Sequence, residues 1–267
     1  MRTVELRGGR HAVLLIHGLK GTPIEVLPLA KRLQKAGYTV KAPYYKGYGY
    51  TKADSTIPPW RVWHADTLAE FRALKAEYDS VSIAGLCMGA VLALSAAEEL
   101  GDEVAALSLL STTLYYDGWT IPWYRFLLPL GYYTPFRYLY TYKGSEPYGV
   151  KNPELQSWIA REIDNQSSSI AAAANLSLPC VYEGERLIRK VRKQLPQVTA
   201  PTLIIHAEED DVCSPRSARL VEAKVSSRQT KLVLLHDSYH MITLDNEREK
   251  VADETVAFFN QVTGHPN

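Results

Sequence analysis

Cys87 stands at the centre of Gly85-Leu86-Cys87-Met88-Gly89, between the apolar run Ser80 to Ala84 and the helix-like stretch Ala90 to Leu100. A strand that turns sharply into a helix strains its apex residue, and a glycine two positions to either side leaves room for close backbone approach. The apex side chain then stands above the sheet, with the first N–H groups of a helix behind it. That is a seat for a nucleophile, and here it holds a thiol. A nucleophile needs a base, a group that orients the base, and N–H donors for a developing oxyanion. The chain offers each. Ala207-Glu208-Glu209-Asp210-Asp211-Val212 follows one apolar run and puts a carboxylate on the loop at its carboxyl end. Asp237-Ser238-Tyr239-His240 follows the next run and places an imidazole one loop further along. His17-Gly18-Leu19-Lys20-Gly21 follows the first run, so the Leu19 N–H can act with the Met88 N–H as oxyanion donors.

The elements that must hold these groups are legible as short apolar runs alternating with helical patterns, which predicts βα units and a mostly parallel sheet. Strands are expected at His11 to His17, Tyr38 to Pro43, Ser80 to Ala84, Val104 to Leu110, Thr202 to His206 and Lys231 to Leu235. Their unbroken Val/Ile/Leu/Ala composition suits strands covered on both faces. Helices are expected at Pro23 to Ala36, Trp60 to Tyr78, after Cys87 to Gly101, Pro215 to Val225 and Asn246 to Val262. The alternation breaks from Thr112 to Val198. That segment opens with an aromatic stretch, from Tyr115 to Tyr142, and continues into helix-like pieces at Glu154 to Ala174 and Glu183 to Leu195. The division expected is a sheet core of residues 1–111 and 199–267 with a helical cap, 112–198, inserted between its halves.

Composition narrows the partners. With 30 Lys and Arg against 29 Asp and Glu, the net charge is +1, and no dense basic block argues for nucleic acid. The most basic piece, Arg186 to Lys193, reads as the solvated face of a helix. The stretch Met1 to Arg10 lacks a signal peptide pattern, and no run reaches the roughly 18 apolar residues that span a bilayer. Three cysteines, Cys87, Cys180 and Cys213, are too few and odd in number for a disulfide framework, which points to a reduced, cytoplasmic setting.

The ordered set of motifs resembles the α/β-hydrolase superfamily, in particular its carboxylesterase and monoacylglycerol-lipase group. The matching pieces are His17 to Gly21, Ala36 to Pro43, Trp63-His64-Ala65-Asp66, the Cys87 elbow, Pro201 to His206 and Tyr239 to Asp245. The resemblance implies an α/β-hydrolase fold with a lid and a triad of Cys87 as nucleophile, Asp210 as acid and His240 as base. Asp210 is chosen over Asp211 because it is third after Ala207, like the family's Gly-x-x-Asp. Two positions depart from the pattern. Cys87 replaces the esterase serine, and Lys46-Gly47-Tyr48-Gly49 stands where relatives often carry Pro-Gly-His-Gly.

A thiol nucleophile would form a thioester, which is open to amines, thiols and carbanions as well as water. Three readings follow: a hydrolase of esters or thioesters resembling dienelactone hydrolase, an acyltransferase resembling polyhydroxyalkanoate synthases, and a ligand-binding homologue without turnover. The full set of acid, base and oxyanion loop favours the hydrolase. The substrate expected is a small apolar acyl compound. No cofactor motif is present, neither Gly-x-Gly-x-x-Gly nor a P-loop. His17 is expected to shape the oxyanion loop, and His236 with His240 not to form a metal site. Cys180 and Cys213 read as unreactive, Cys213 lying near the acid loop. The aromatic stretch could line the acyl pocket, fill the cap, or pair two copies as a homodimer.

Overall fold

The computed structural model describes residues 2–49, 57–135, 140–144, 146–164 and 175–264. The expected strands all form: β2 (His11–Ile16), β3 (Thr39–Ala42), β4 (Ser80–Leu86), β5 (Val104–Leu110), β8 (Thr202–Ala207) and β9 (Thr230–Leu235). A short strand that the sequence reading lacked, β1 (Val4–Leu6), pairs antiparallel on the edge of β3. A second pair, β6 (Thr141–Lys143) and β7 (Asn175–Ser177), forms its own two-stranded antiparallel sheet. The main sheet runs β1-β3-β2-β4-β5-β8-β9 and is parallel apart from β1.

Helices cover both faces, which is why β2 is apolar at every position after His11 and completely buried. On one face α1 (Leu27–Lys35) and α8 (Arg248–Thr263) pack Leu29, Leu33, Phe258 and Phe259 on Val13 and Leu15. On the other, α2 (Trp60–Glu77) and α3 (Met88–Leu100) cover Leu14 and Ile16, and α7 (Arg216–Lys224) packs Ala218 and Val221 over the β8–β9 end of the same face. Each fully buried Leu or Ile contributes roughly 2 kcal/mol. Among the described residues three α-helices lie between β5 and β8: α4 (Leu128–Tyr132), α5 (Pro153–Asp164) and α6 (Leu178–Gln194). Helix α6 starts five residues before the expected Glu183, because Pro179 sits in its first turn, where a missing N–H costs nothing. Its Leu187, Ile188 and Val191 join the α3 face of the core, anchoring this end of the segment to the sheet. The later half of the helix expected at Glu154 to Ala174 lies outside the described residues, as do Phe136 and Tyr138.

Register sets the working rim. Ile16 pairs with Gly85, Leu86 with Leu110, Leu110 with Ile205 and Ala207 with Leu235. The strands therefore end together, and the loops that follow β2, β4, β8 and β9 all open on one edge. This is the carboxyl-end crevice where open α/β sheets bind ligands. Among the described residues no helix is long and apolar enough to cross a membrane.

Candidate active site

Cys87 joins β4 to α3 at φ 58° and ψ −118°, a left-handed backbone that costs a side-chain-bearing residue on the order of 1–3 kcal/mol. The turn is held by the Cys87 N–H on the Leu110 carbonyl at 2.8 Å and the Ala90 N–H on the Cys87 carbonyl at 3.1 Å. Both flanking glycines are required by contact. A Cβ on Gly85 would run into the Gly89 carbonyl, and one on Gly89 into the Ile16 carbonyl. The thiol is only partly buried and accepts a hydrogen bond from Thr113 Oγ1 at 3.4 Å.

Asp210 and His240 meet across two loops. His240, after β9, directs Nδ1 at the Asp210 carboxylate after β8, 2.8 Å from Oδ2 and 3.0 Å from Oδ1. Asp210 is buried and also accepts the Val212 and Cys213 N–H groups at 2.9 and 2.8 Å. Burial alone would raise its carboxyl, but the facing His240 charge and these hydrogen bonds bring it below its ordinary range. For His240 burial works downward, yet the Asp210 carboxylate, with Cys87 and Cys213 adding, holds the imidazole well above its usual value. Its Nε2 is buried and has no hydrogen-bond partner among the described residues, so it is free for proton traffic. Asp211 is placed differently: its Oδ1 accepts the His240 backbone N–H at 3.3 Å.

The loop after β2 completes the rim. Neither the Leu19 nor the Met88 N–H is taken by a hydrogen bond among the described residues, and both residues line the same cavity as Cys87 and His240. His17 is buried and donates from Nδ1 to the Gly18 carbonyl at 2.8 Å. Burial pushes its imidazole down to about 4, against that hydrogen bond, so it is neutral at pH 7 and shapes the loop. Tyr48, in the position of the missing structural histidine, is fully buried and donates its hydroxyl to the His17 carbonyl at 2.8 Å. A phenol does the loop-holding there. Glu25 is buried behind the loop, its Oε2 accepting the Gly18 N–H at 3.2 Å.

A cavity of about 670 Å³ opens above Cys87, its walls drawn largely from the segment between β5 and β8, including Ile121, Pro122, Leu127, Leu128, Leu176 and Leu178. The aromatic stretch divides. Tyr116, Tyr124, Tyr140, Tyr142 and Tyr148 line the cavity, whereas Trp119, Trp123, Phe126 and Tyr133 face outward, Trp123 being 82% exposed.

Thr113 and Asp245, like Glu25, have no role in the sequence reading. Thr113 Oγ1 lies 3.4 Å from both the Cys87 and Cys213 sulfurs, so one hydroxyl links the elbow thiol to the thiol packed beside Asp210. Asp245, fully buried, accepts the N–H groups of Tyr239, Lys151, Asn152 and Asn246 at 2.8, 2.7, 3.0 and 2.9 Å. It ties the histidine loop to the segment after β6. Asp245→Ala strands these donors in the interior and is expected to cost roughly 3 kcal/mol, read as a lower urea midpoint, with turnover falling as the His240 loop loosens. An unchanged midpoint would show that water substitutes for the carboxylate.

His206, Asp210 and Cys213 have the donor types of a metal site and bring one ligand atom each within 4.8 Å of one another. Most of their atoms are already engaged, although His206 Nδ1 is buried with no hydrogen-bond partner among the described residues. Asp210 serves His240 and two N–H groups, and His206 Nε2 hydrogen-bonds the Cys213 carbonyl at 2.9 Å. His236 and His240 diverge, His236 pairing with Glu208 at 2.9 Å on the surface. Burial raises both other thiols, Cys180 to about 12 and Cys213 further, which fits unreactive packing groups.

Comparison with known proteins places this geometry in context. A family model described as serine aminopeptidase, S33 (Hydrolase_4) matches residues 8–248. The chain is 29% identical over 256 residues to the thermostable monoacylglycerol lipase of Bacillus sp. (strain H-257), covering 96% of this chain and 93% of that protein. It is 26% identical over 266 residues to a carboxylesterase of Bacillus subtilis (strain 168), covering 96% and 95%. Among solved structures, one described with LipS and LipT, two metagenome-derived lipolytic enzymes, superposes with a TM-score of 0.81 at 25% identity over 97% of each chain. A monoacylglycerol lipase of Paleococcus ferrophilus has a TM-score of 0.79 at 16% identity, covering 97% and 98%, and so shares the fold. The mostly parallel, helix-flanked sheet is the α/β-hydrolase fold.

Proposed function

The chain belongs to the serine aminopeptidase, S33 (Hydrolase_4) family of α/β-hydrolases, with relatives that are lipases and esterases, and from that membership we propose that it is an acyl hydrolase working through a Cys87–His240–Asp210 triad on apolar acyl esters. One observation carries the reading. The Cys87 elbow, the Asp210-oriented His240 and two uncommitted N–H groups converge on the floor of an apolar cavity. In this reading residues 112–198 are a cap over the acyl site and the remainder is the hydrolase core.

The chemistry follows from the parts. His240 Nε2 takes the Cys87 proton, and Sγ attacks the acyl carbonyl as the carbonyl π-bond opens to an oxyanion. The oxyanion rests on the Leu19 and Met88 N–H groups, the latter beside the positive end of α3. Collapse breaks the ester C–O bond, and His240 hands its proton to the departing alkoxide. Water then gives a proton to His240 and its oxygen to the thioester carbon. The C–S bond breaks, the acid leaves, and the proton returns to Cys87. Asp210 keeps the His240 proton on Nδ1, so Nε2 is the acceptor.

The cavity's size, within the roughly 300–1,000 Å³ of small-molecule pockets, and its apolar wall favour a medium or long acyl chain. A p-nitrophenyl ester series should show kcat/KM rising with chain length by up to roughly fourfold per methylene, the equivalent of burying about 0.8 kcal/mol each. A preference for acetate would contradict the acyl assignment of the cavity. A single burst without turnover would point to acyl transfer in place of hydrolysis.

A further inference from the structure

Glu25 is a buried carboxyl that the scheme above leaves unused. It lies in the 3₁₀ turn Pro23–Val26 that follows the oxyanion loop and is 2% exposed. Besides accepting the Gly18 N–H, its carboxyl fills the hollow left by Gly21, where a Cβ would run into it. A Cβ on Gly18 would lie 3.3 Å from Glu25 Oε2 and 3.7 Å from Cys87 Cβ, so the carboxyl and the elbow flank one glycine. The Glu25 carbonyl accepts the Thr243 hydroxyl at 2.6 Å, three residues beyond His240. The side chain also lines the cavity with Cys87, Met88 and His240. Glu25 thus touches the oxyanion loop, the histidine loop and the substrate space together.

Among the described residues no Lys, Arg or His forms an ion pair with it. Of the titratable groups around it, His17 and Lys20 on the loop, Cys87 on the elbow, Tyr48 behind the loop and His240 across the cavity, His240 alone lends it a stabilising charge. A carboxylate here would oppose the oxyanion that Leu19 and Met88 are placed to bind, because charges in a dry site act strongly on each other. We propose that Glu25 is a positioning residue for hydrolysis: as a neutral acid it clamps the oxyanion loop, and its ionisation switches the site off. Burial pushes its carboxyl up to about 8, with the Gly18 and Thr22 hydrogen bonds and His240 acting the other way. Activity should therefore be intact at neutral pH and fall as the pH rises through that value. The folded protein also resists this ionisation, so the carboxyl's contribution to stability is whole below its ordinary value of 4.5 and is lost as the pH rises toward 8.

The inference rests on ester hydrolysis at Cys87, and its test separates the two. Glu25→Ala releases the loop and should lower kcat at about pH 6.5 by tenfold or more with little change in KM. Glu25→Gln keeps the shape and an acceptor oxygen but cannot ionise. It should rescue kcat to within about fivefold of the parent and move the alkaline limb of the kcat profile up by about one pH unit or more. Should Glu25→Ala fail to fold, the Glu25→Gln profile decides alone. A purely structural carboxyl would lower thermal stability in these variants and leave the alkaline limb where the parent has it, which overturns the proposal. Full kcat in folded Glu25→Ala overturns it as well. Turnover surviving in Cys87→Ala instead overturns the nucleophile assignment, while the parent and Glu25→Gln limbs can still be compared.

Discussion

Cys87→Ala is expected to lower ester turnover by about 10⁴-fold or more while the protein keeps its thermal transition. The size of the loss follows from the geometry. Cys87 sits at the strained φ 58° apex, and the sole hydrogen bond its sulfur accepts among the described residues is the 3.4 Å contact from Thr113. Truncation therefore removes the attacking atom and breaks little packing. What survives should be the modest catalysis of an oxyanion site acting on a bound ester with water. The measurement is steady-state hydrolysis of a medium-chain p-nitrophenyl ester beside a thermal melt. A loss under about tenfold would mean that another group attacks the carbonyl.

Asp210→Asn should cost about 10⁴-fold in kcat with little change in KM. The Asp210 carboxylate accepts from His240 Nδ1 and from the Val212 and Cys213 N–H groups. An amide can still accept from the loop N–H groups through its oxygen. Its NH₂ toward Nδ1 would force the His240 proton onto Nε2, where the imidazole can no longer take one from Cys87. The buried carboxylate also gives the variant a distinct stability profile. Its folded pKa lies below the ordinary 3.8, so its contribution is complete above that value and lost as the pH falls through the lowered one. Parent and variant should therefore differ most in melting temperature near neutrality and converge in strong acid. Equal kcat in the two proteins would remove Asp210 from the mechanism.

The rim of the site was legible because each part has a local signature. Gly85 and Gly89 mark a turn that only glycine fits, and the register of six parallel strands brings their following loops to one edge. The loops after β8 and β9 could be read as seats for a carboxylate and for His240, while the preference for Asp210 over Asp211 came from the resemblance to the family's Gly-x-x-Asp. The parts that were not legible are non-local. Strand β1 has three residues, too few to show a period, and owes its pairing to β3. Thr113 matters because two sulfurs far apart in sequence converge on its hydroxyl. Glu25 reads as an ordinary acid at a helix start, and only the folded loop turns its carboxyl inward. Helix α6 opens at Leu178, ahead of the expected Glu183, because Pro179 is tolerated in a first turn though it would stop a helix interior. Tyr48 replaces the structural histidine by supplying a hydroxyl to the same buried loop.

The central claim is that the acyl group passes through a thioester on Cys87. Acid-quenched mixing with p-nitrophenyl octanoate, followed by intact mass and peptide mapping, tests it directly. The expected result is one octanoyl group on the peptide bearing Cys87, labile to neutral hydroxylamine, appearing with the p-nitrophenol burst and decaying as substrate is exhausted. Sustained turnover with that peptide unmodified, and undiminished in Cys87→Ala, would contradict it.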